Sequence, residues 1–126
     1  MIKTDKAPLP IGPYNQAVII NNLIYTSGQI PLDAKTNEVI HGTISDQTEC
    51  VIKHLKTILE SSGSSLGHVI KATVFLKNMN DFGAMNAVYS KYFDAATAPA
   101  RSTIEVARLP KDVSVEIEVV AFVPSA

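Results

Sequence analysis

Pro99-Ala100-Arg101-Ser102-Thr103-Ile104-Glu105-Val106-Ala107-Arg108-Leu109-Pro110, running on to Val115-Glu116-Ile117-Glu118-Val119, is the stretch on which the fold of this chain turns. Its alternation reads as two strands joined by a short loop. The first strand puts Arg101, Thr103 and Glu105 on one face and Ser102, Ile104 and Val106 on the other. The second puts Glu116 and Glu118 opposite Val115, Ile117 and Val119. A hairpin is one option for the pair. With Thr103 opposite Glu116, it would gather Arg101, Thr103, Glu116 and Glu118 on one face. An arginine and carboxylates on rigid strands suit a small anion held beside a base. The plain alternative is a solvated face whose ion pairs are worth under about 1 kcal/mol.

Upstream of it, the apolar run Val69–Leu76 predicts a central strand, covered on both faces or with one face in an oligomer contact. Asn78-Met79-Asn80-Asp81 caps a helix with the stripe Phe82, Met85, Val88, Tyr89, Tyr92 and Phe93, and Asn86 falls off that stripe. An earlier helix starts near Ser45 or Asp46, buries Val51, Ile52, Leu55, Ile58 and Leu59, and ends at Gly63. Residues 32–44 read as a loop. Ala17–Ile20 and Leu23–Ser27, split by Asn21-Asn22, predict a β-hairpin. It leaves through Ser27-Gly28, small residues suited to a carboxylate contact or simply to a strand exit. Pro8, Pro10, Gly12 and Pro13 make residues 7–16 a stiff extended loop, which carries Tyr14 either as packing or as a phenol delivered to a pocket.

The sum is an α+β fold in a single domain over residues 1–126: a mixed sheet of about six strands with two helices on one face, in the order β-β-α-β-α-β-β. Two helices cover one sheet face. The other is too apolar to be simply wet, which predicts burial in a homo-oligomer.

Composition narrows the function. Apolar residues make up 46% of the 126 residues and charged ones 18%, a globular balance. No apolar run is long enough to span a bilayer. The net charge of −1 and scattered Lys and Arg argue against a nucleic-acid partner. His41, His54 and His68 lack metal-ligand spacing, so no metal is expected. Cys50 is alone in a helical pattern and reads as a small apolar filler. The single cysteine, and an N-terminus resembling neither a secretory signal nor a transit helix, point to the cytoplasm, with a mitochondrial location left open.

Ile11-Gly12-Pro13-Tyr14, Thr26-Ser27-Gly28-Gln29-Ile30-Pro31, Asn80-Asp81-Phe82 with Asn86, Pro99-Ala100-Arg101-Ser102 and Glu105-Val106-Ala107-Arg108-Leu109-Pro110 together closely resemble the RidA (YjgF-type) family of reactive enamine/imine deaminases. The resemblance covers essentially the whole chain. It implies a chorismate-mutase-like homotrimer with a ligand cleft at each subunit interface, and a last strand inserted beside the first. It implies hydrolysis of 2-aminoacrylate, 2-iminopropanoate or 2-iminobutanoate to 2-oxo acids and ammonia, without metal or cofactor. By the same resemblance Arg101 anchors the substrate carboxylate and Glu116 is the catalytic glutamate. Tyr14 lines the cleft and Asn86 faces it. Ser27 and Gly28 add pocket contacts, and Thr103 contributes through its backbone carbonyl where many members have cysteine. The chemistry is consistent: a guanidinium fork orients a carboxylate, and one carboxyl group can serve as base and then as acid. Two other readings compete. One is a non-catalytic trimer that binds small carboxylates; the other is RNA cleavage, reported for some relatives.

Overall fold

The computed structural model describes residues 4–10, 12 and 14–124, so the reading of Ile11, Pro13 and the first three residues lies outside them. The hairpin of β1 (Ala17–Ile20) and β2 (Leu23–Thr26) forms as predicted. Asn21 and Asn22 take φ of 50° and 65°, and Ile20 pairs with Leu23. Two successive left-handed residues make the turn whose twist matches the strands it joins.

Helix α1 spans Ile44–Ser61 with Thr43 as its cap, so Ser45 and Asp46, which the sequence offers as caps or first-turn residues, fall in the first turn. The Thr43 hydroxyl accepts the Asp46 N–H at 3.1 Å, and the Asp46 carboxylate accepts the Thr43 N–H at 3.1 Å. Asp46 is thus the returning half of a capping box. At the other end Gly63 takes φ +81°, and the Ser64 and Gly63 N–H groups reach back to the Leu59 and Glu60 carbonyls. This is the glycine-terminated end that the sequence predicts. The predicted stripe of Val51, Ile52, Leu55, Ile58 and Leu59 is fully buried.

Strand β3 (Val69–Leu76) leads through a 3₁₀ turn at Met79–Asp81 into helix α2 (Phe82–Tyr92). The Asn78 side chain caps that turn by accepting the Asn80 N–H at 2.9 Å. Strand β4 (Ala100–Glu105) follows, then β5 (Val115–Phe122). The described residues hold five strands, in the order β1-β2-β5-β3-β4, where about six were expected. All pairs are antiparallel except β3 with β4.

The hairpin of β4 with β5 does not form. Thr103 pairs with Val74 and Glu116 with Phe75, so β3 lies between the two strands. The cause is topological. A strand that returns through a crossover helix pairs in parallel with the strand it left, and α2 makes β4 such a partner of β3. This leaves β3 one antiparallel edge, and β5 fills the slot between β2 and β3 rather than lying beside β1. There it bonds on both sides and turns Val115, Ile117, Val119 and Ala121 into the core.

The sheet therefore has two unlike faces. Both helices pack over one, where Ala72, Val74 and Leu76 of β3 are fully buried. On the open face lie Lys71, Thr73 and Phe75, all half-buried, with Ile20 57% and Tyr25 47% exposed. Within one chain β3 is thus covered on one face. No helix among the described residues is long and apolar enough to cross a membrane.

Candidate active site

Three of the seven predicted site residues lie in strands, and sheet parity sorts them into two groups that do not meet. Glu116 registers with Phe75, on the open face. Arg101 and Thr103 register with Ala72 and Val74, on the helix-covered face. A shared face for Arg101, Thr103, Glu116 and Glu118 is overturned: within one chain Arg101 and Glu116 lie on opposite sides of the sheet.

The Glu116 side is built by the chain leaving β2. Gln29 exchanges backbone hydrogen bonds with Ile117 at 2.8 and 3.1 Å, which draws Ser27-Gly28 against the neighbouring Glu116. A Cβ added at Gly28 would stand 1.9 Å from Glu116 Oε2, so the carboxylate occupies the space a side chain would take. Burial raises the Glu116 pKa above the ordinary carboxylate value, and the charge of Glu118 adds to the rise.

The Tyr14 loop is clamped to the same place. Gln16, 1% exposed, accepts the Thr4 N–H at 2.6 Å and donates to the Thr4 and Pro8 carbonyls at 3.0 and 2.8 Å. Ser27 donates its hydroxyl to the Asn15 carbonyl at 2.6 Å and its N–H to Gln16 at 2.9 Å. A cavity of about 470 Å³ results, with Tyr14, Ser27, Gly28 and Glu116 in its lining and apolar walls from Leu9, Ile30 and Leu32. Pro110 closes one side. Its loop is held by a two-pronged Arg108–Asp112 contact at 2.9 and 3.3 Å.

The Arg101 side is a second cavity of about 430 Å³, lined by Asn86, Tyr89, Phe93, Pro99 and Arg101 among others. Arg101 Nη1 donates to Asn86 Oδ1 at 2.7 Å. The guanidinium lies over the rings of Tyr89 and Phe82, at 4.6 and 5.5 Å from their centroids. Phe82, Asn86 and Tyr89 are spaced i, i+4, i+7, so one face of α2 grips the arginine. Among the described residues the ion pairs are Lys53–Glu49 and Arg108–Asp112, and Arg101 has no carboxylate partner. A half-buried cation held by an amide and two ring faces is poised for an external anion.

Asn86 is therefore a ligand of Arg101 rather than a solvated helix residue. Thr103 points to the helix-covered side, where its hydroxyl is buried without a hydrogen-bond partner among the described residues. Gln16, Gln29, Phe82 and Tyr89 escaped the sequence reading as site residues. For Phe82 and Tyr89 a signal existed in their spacing from Asn86. For the two glutamines none did, because their partners are backbone groups brought near by folding. Cys50 has its thiol 3.2 Å from His54 Nε2, which bonds the Leu32 carbonyl at 2.6 Å. Burial pushes the thiol up to about 11, with Asp33 adding to the rise, so Cys50 stays a neutral thiol. No group of three or more metal-ligating side chains occurs among the described residues.

The model of the Endoribonuclease L-PSP family matches residues 4–123. The chain belongs to this family, the RidA/YjgF proteins. A RutC family protein of Pyrococcus abyssi is 52% identical over 97% of this chain and 95% of its own length. The 2-iminobutanoate/2-iminopropanoate deaminase of Escherichia coli K12 is 48% identical over 95% of this chain and 94% of its own length. The crystal structure of E. coli TdcF with bound serine superposes with a TM-score of 0.90 at 44% identity, covering 97% of each chain. The α+β fold is thus the fold of RidA/YjgF proteins.

Proposed function

We propose that this chain is a deaminase of 2-aminoacrylate, 2-iminopropanoate or 2-iminobutanoate, releasing 2-oxo acids and ammonia, and that it works as a homotrimer with its clefts between subunits. The observation that carries the reading is the split site. A cation without a carboxylate partner lines one cavity, and a carboxylate with a raised pKa lines another on the opposite sheet face. Each is half of what imine hydrolysis needs, and a second copy of the chain can bring one to the other. The exposed apolar residues of the open face supply a reason for copies to associate. The 48% identical E. coli relative bears the name of this activity.

In this reading Arg101 grips the substrate carboxylate and fixes its plane, with Asn86 holding the guanidinium. Glu116 of a neighbouring copy takes a proton from water as the water oxygen bonds to the imine carbon. It passes that proton to the imine nitrogen, giving a carbinolamine. The carboxylate then takes the carbinolamine O–H proton and delivers it to the nitrogen as the C–N bond breaks, forming the carbonyl and ammonia. Glu116 ends as it began. For 2-aminoacrylate, the terminal carbon first gains a proton as the nitrogen loses one, giving 2-iminopropanoate. Its raised pKa makes the Glu116 carboxylate a stronger base toward the attacking water in the first half of this cycle. Tyr14 and Ser27 line the wall against which the substrate is oriented.

Ammonia release coupled to a pyridoxal-phosphate-dependent threonine dehydratase tests this. Arg101→Ala and Glu116→Ala should each lower the stimulated rate by at least about tenfold. Wild-type protein that leaves the release rate unchanged would sink the assignment. RNA cleavage, the activity in the family's description, finds less support in the geometry. His41 is exposed, His54 is buried against Leu32 and His68 packs on Phe122 at 4.7 Å, and none of the three lines either cavity.

A further inference from the structure

Arg101 rests on a stack of aromatic rings. Its guanidinium lies 4.6 Å over Tyr89, and Tyr89 stacks on Phe93 with centroids 4.4 Å apart and planes inclined by 27°. Both rings are buried, Tyr89 at 4% and Phe93 at 7% exposure. The Tyr89 hydroxyl is buried and makes no hydrogen bond among the described residues. What Tyr89 offers the arginine is therefore its ring face. This choice of partner has a consequence that a carboxylate would not. An acidic neighbour would hold the guanidinium but cancel its charge. A ring face attracts the cation and restrains it while leaving its charge to a ligand. The Asn86 amide, bonded to Nη1 at 2.7 Å, adds an in-plane restraint and is likewise neutral.

Taking Arg101 as the carboxylate anchor, we propose that Tyr89 is its positioning residue. The Tyr89 face, backed by Phe93, fixes the guanidinium plane without neutralising it, so that the donors not tied to Asn86 meet a small 2-oxo or 2-imino carboxylate already oriented. Tyr89 does not touch the reacting atoms. It acts through Arg101, by lowering the cost of ordering a side chain that otherwise has many rotamers.

The test varies the ring's charge distribution at nearly constant shape. Position 89 is filled in turn with phenylalanine, a difluorinated and a trifluorinated phenylalanine, each fluorine making the face less negative. The probe is 2-oxobutanoate, titrated by NMR at pH 7, and the nitrogen resonances of the Arg101 guanidinium are followed in the same samples. Tyr89→Phe should keep affinity close to that of wild type. Across the fluorinated series the dissociation constant should rise stepwise to about tenfold. Rotation about the guanidinium Cζ–Nε bond should quicken in step, while the melting temperature holds. Tyr89→Leu should lose at least as much affinity as the trifluorinated ring. Constant affinity and constant guanidinium rotation across the series would overturn the proposal and leave Tyr89 as core packing. Arg101→Ala separates the two readings: if it leaves 2-oxobutanoate affinity unchanged, the carboxylate anchor itself is wrong, whatever the series shows.

Discussion

Glu116 sits where a carboxylate is costly to ionise: half-buried, pressed into the space over Gly28, with Glu118 one pair along the strand. Two predictions follow from these residues. Gly28→Ala forces aside the flexible end of Glu116 rather than backbone. It should therefore change stability by no more than about 1 kcal/mol yet lower the coupled ammonia-release rate by about a hundredfold, the scale of a lost proton-transfer group. A rate close to wild type would show that the carboxylate is not held in place by the missing Cβ. The second concerns pH. The folded protein holds the Glu116 proton more tightly than the unfolded chain, so this group costs stability as pH rises through its raised pKa and costs none below the ordinary carboxylate range. Glu116→Gln should then raise the denaturation midpoint at neutral pH, with the gain fading as pH falls below that range. A gain that persists in acid would point to packing instead.

At the scale of elements, the two half-sites are held by different means. Arg101 is gripped by one face of α2, so its geometry depends on regular secondary structure. The Tyr14 loop depends on side chains bonding to backbone, chiefly Gln16 and Ser27. Helix α1 packs its buried stripe into the core on the covered face of the sheet, and its start is set by the Thr43–Asp46 box. Thr43→Ala should cost about 1 kcal/mol in chemical denaturation. Because neither Thr43 nor Asp46 lines a cavity, activity of the remaining folded protein should stay at the wild-type level. A loss of activity per folded molecule would show coupling between this helix end and the site.

For the whole molecule the consequence of opposite sheet faces is an assembly test. If Arg101 and Glu116 of different copies share a cleft, inactive Arg101→Ala and Glu116→Ala chains should complement one another when refolded together. With free mixing, each interface draws its two halves independently. About a quarter of the interfaces are then intact, and a similar fraction of wild-type activity should return. Mixed chains that stay as inactive as their parents would place both residues in one subunit's site and sink the interfacial arrangement.

Local chemistry was enough for the elements. Asn21-Asn22 dictated a left-handed turn, Gly63 a helix end, and the spacing of Val51 to Leu59 a buried stripe, because each rests on contacts within a few residues. Family motifs were enough to name Tyr14, Ser27, Gly28, Asn86, Arg101 and Glu116 as the residues to watch. Alternation also fixed which residues of each strand share a face. It did not fix which face of the sheet those residues join. That depended on β5 inserting between β2 and β3, a pairing between segments nearly a hundred residues apart. Nothing local encodes such a pairing; the edge left free by β4 and the burial of Val115, Ile117, Val119 and Ala121 decide it. The sequence alone singled out Arg101 and Glu116 as candidates for carboxylate anchor and proton carrier. Only the tertiary structure set them on opposite sides of one sheet, because hydrogen-bonded register carries side-chain parity from strand to strand.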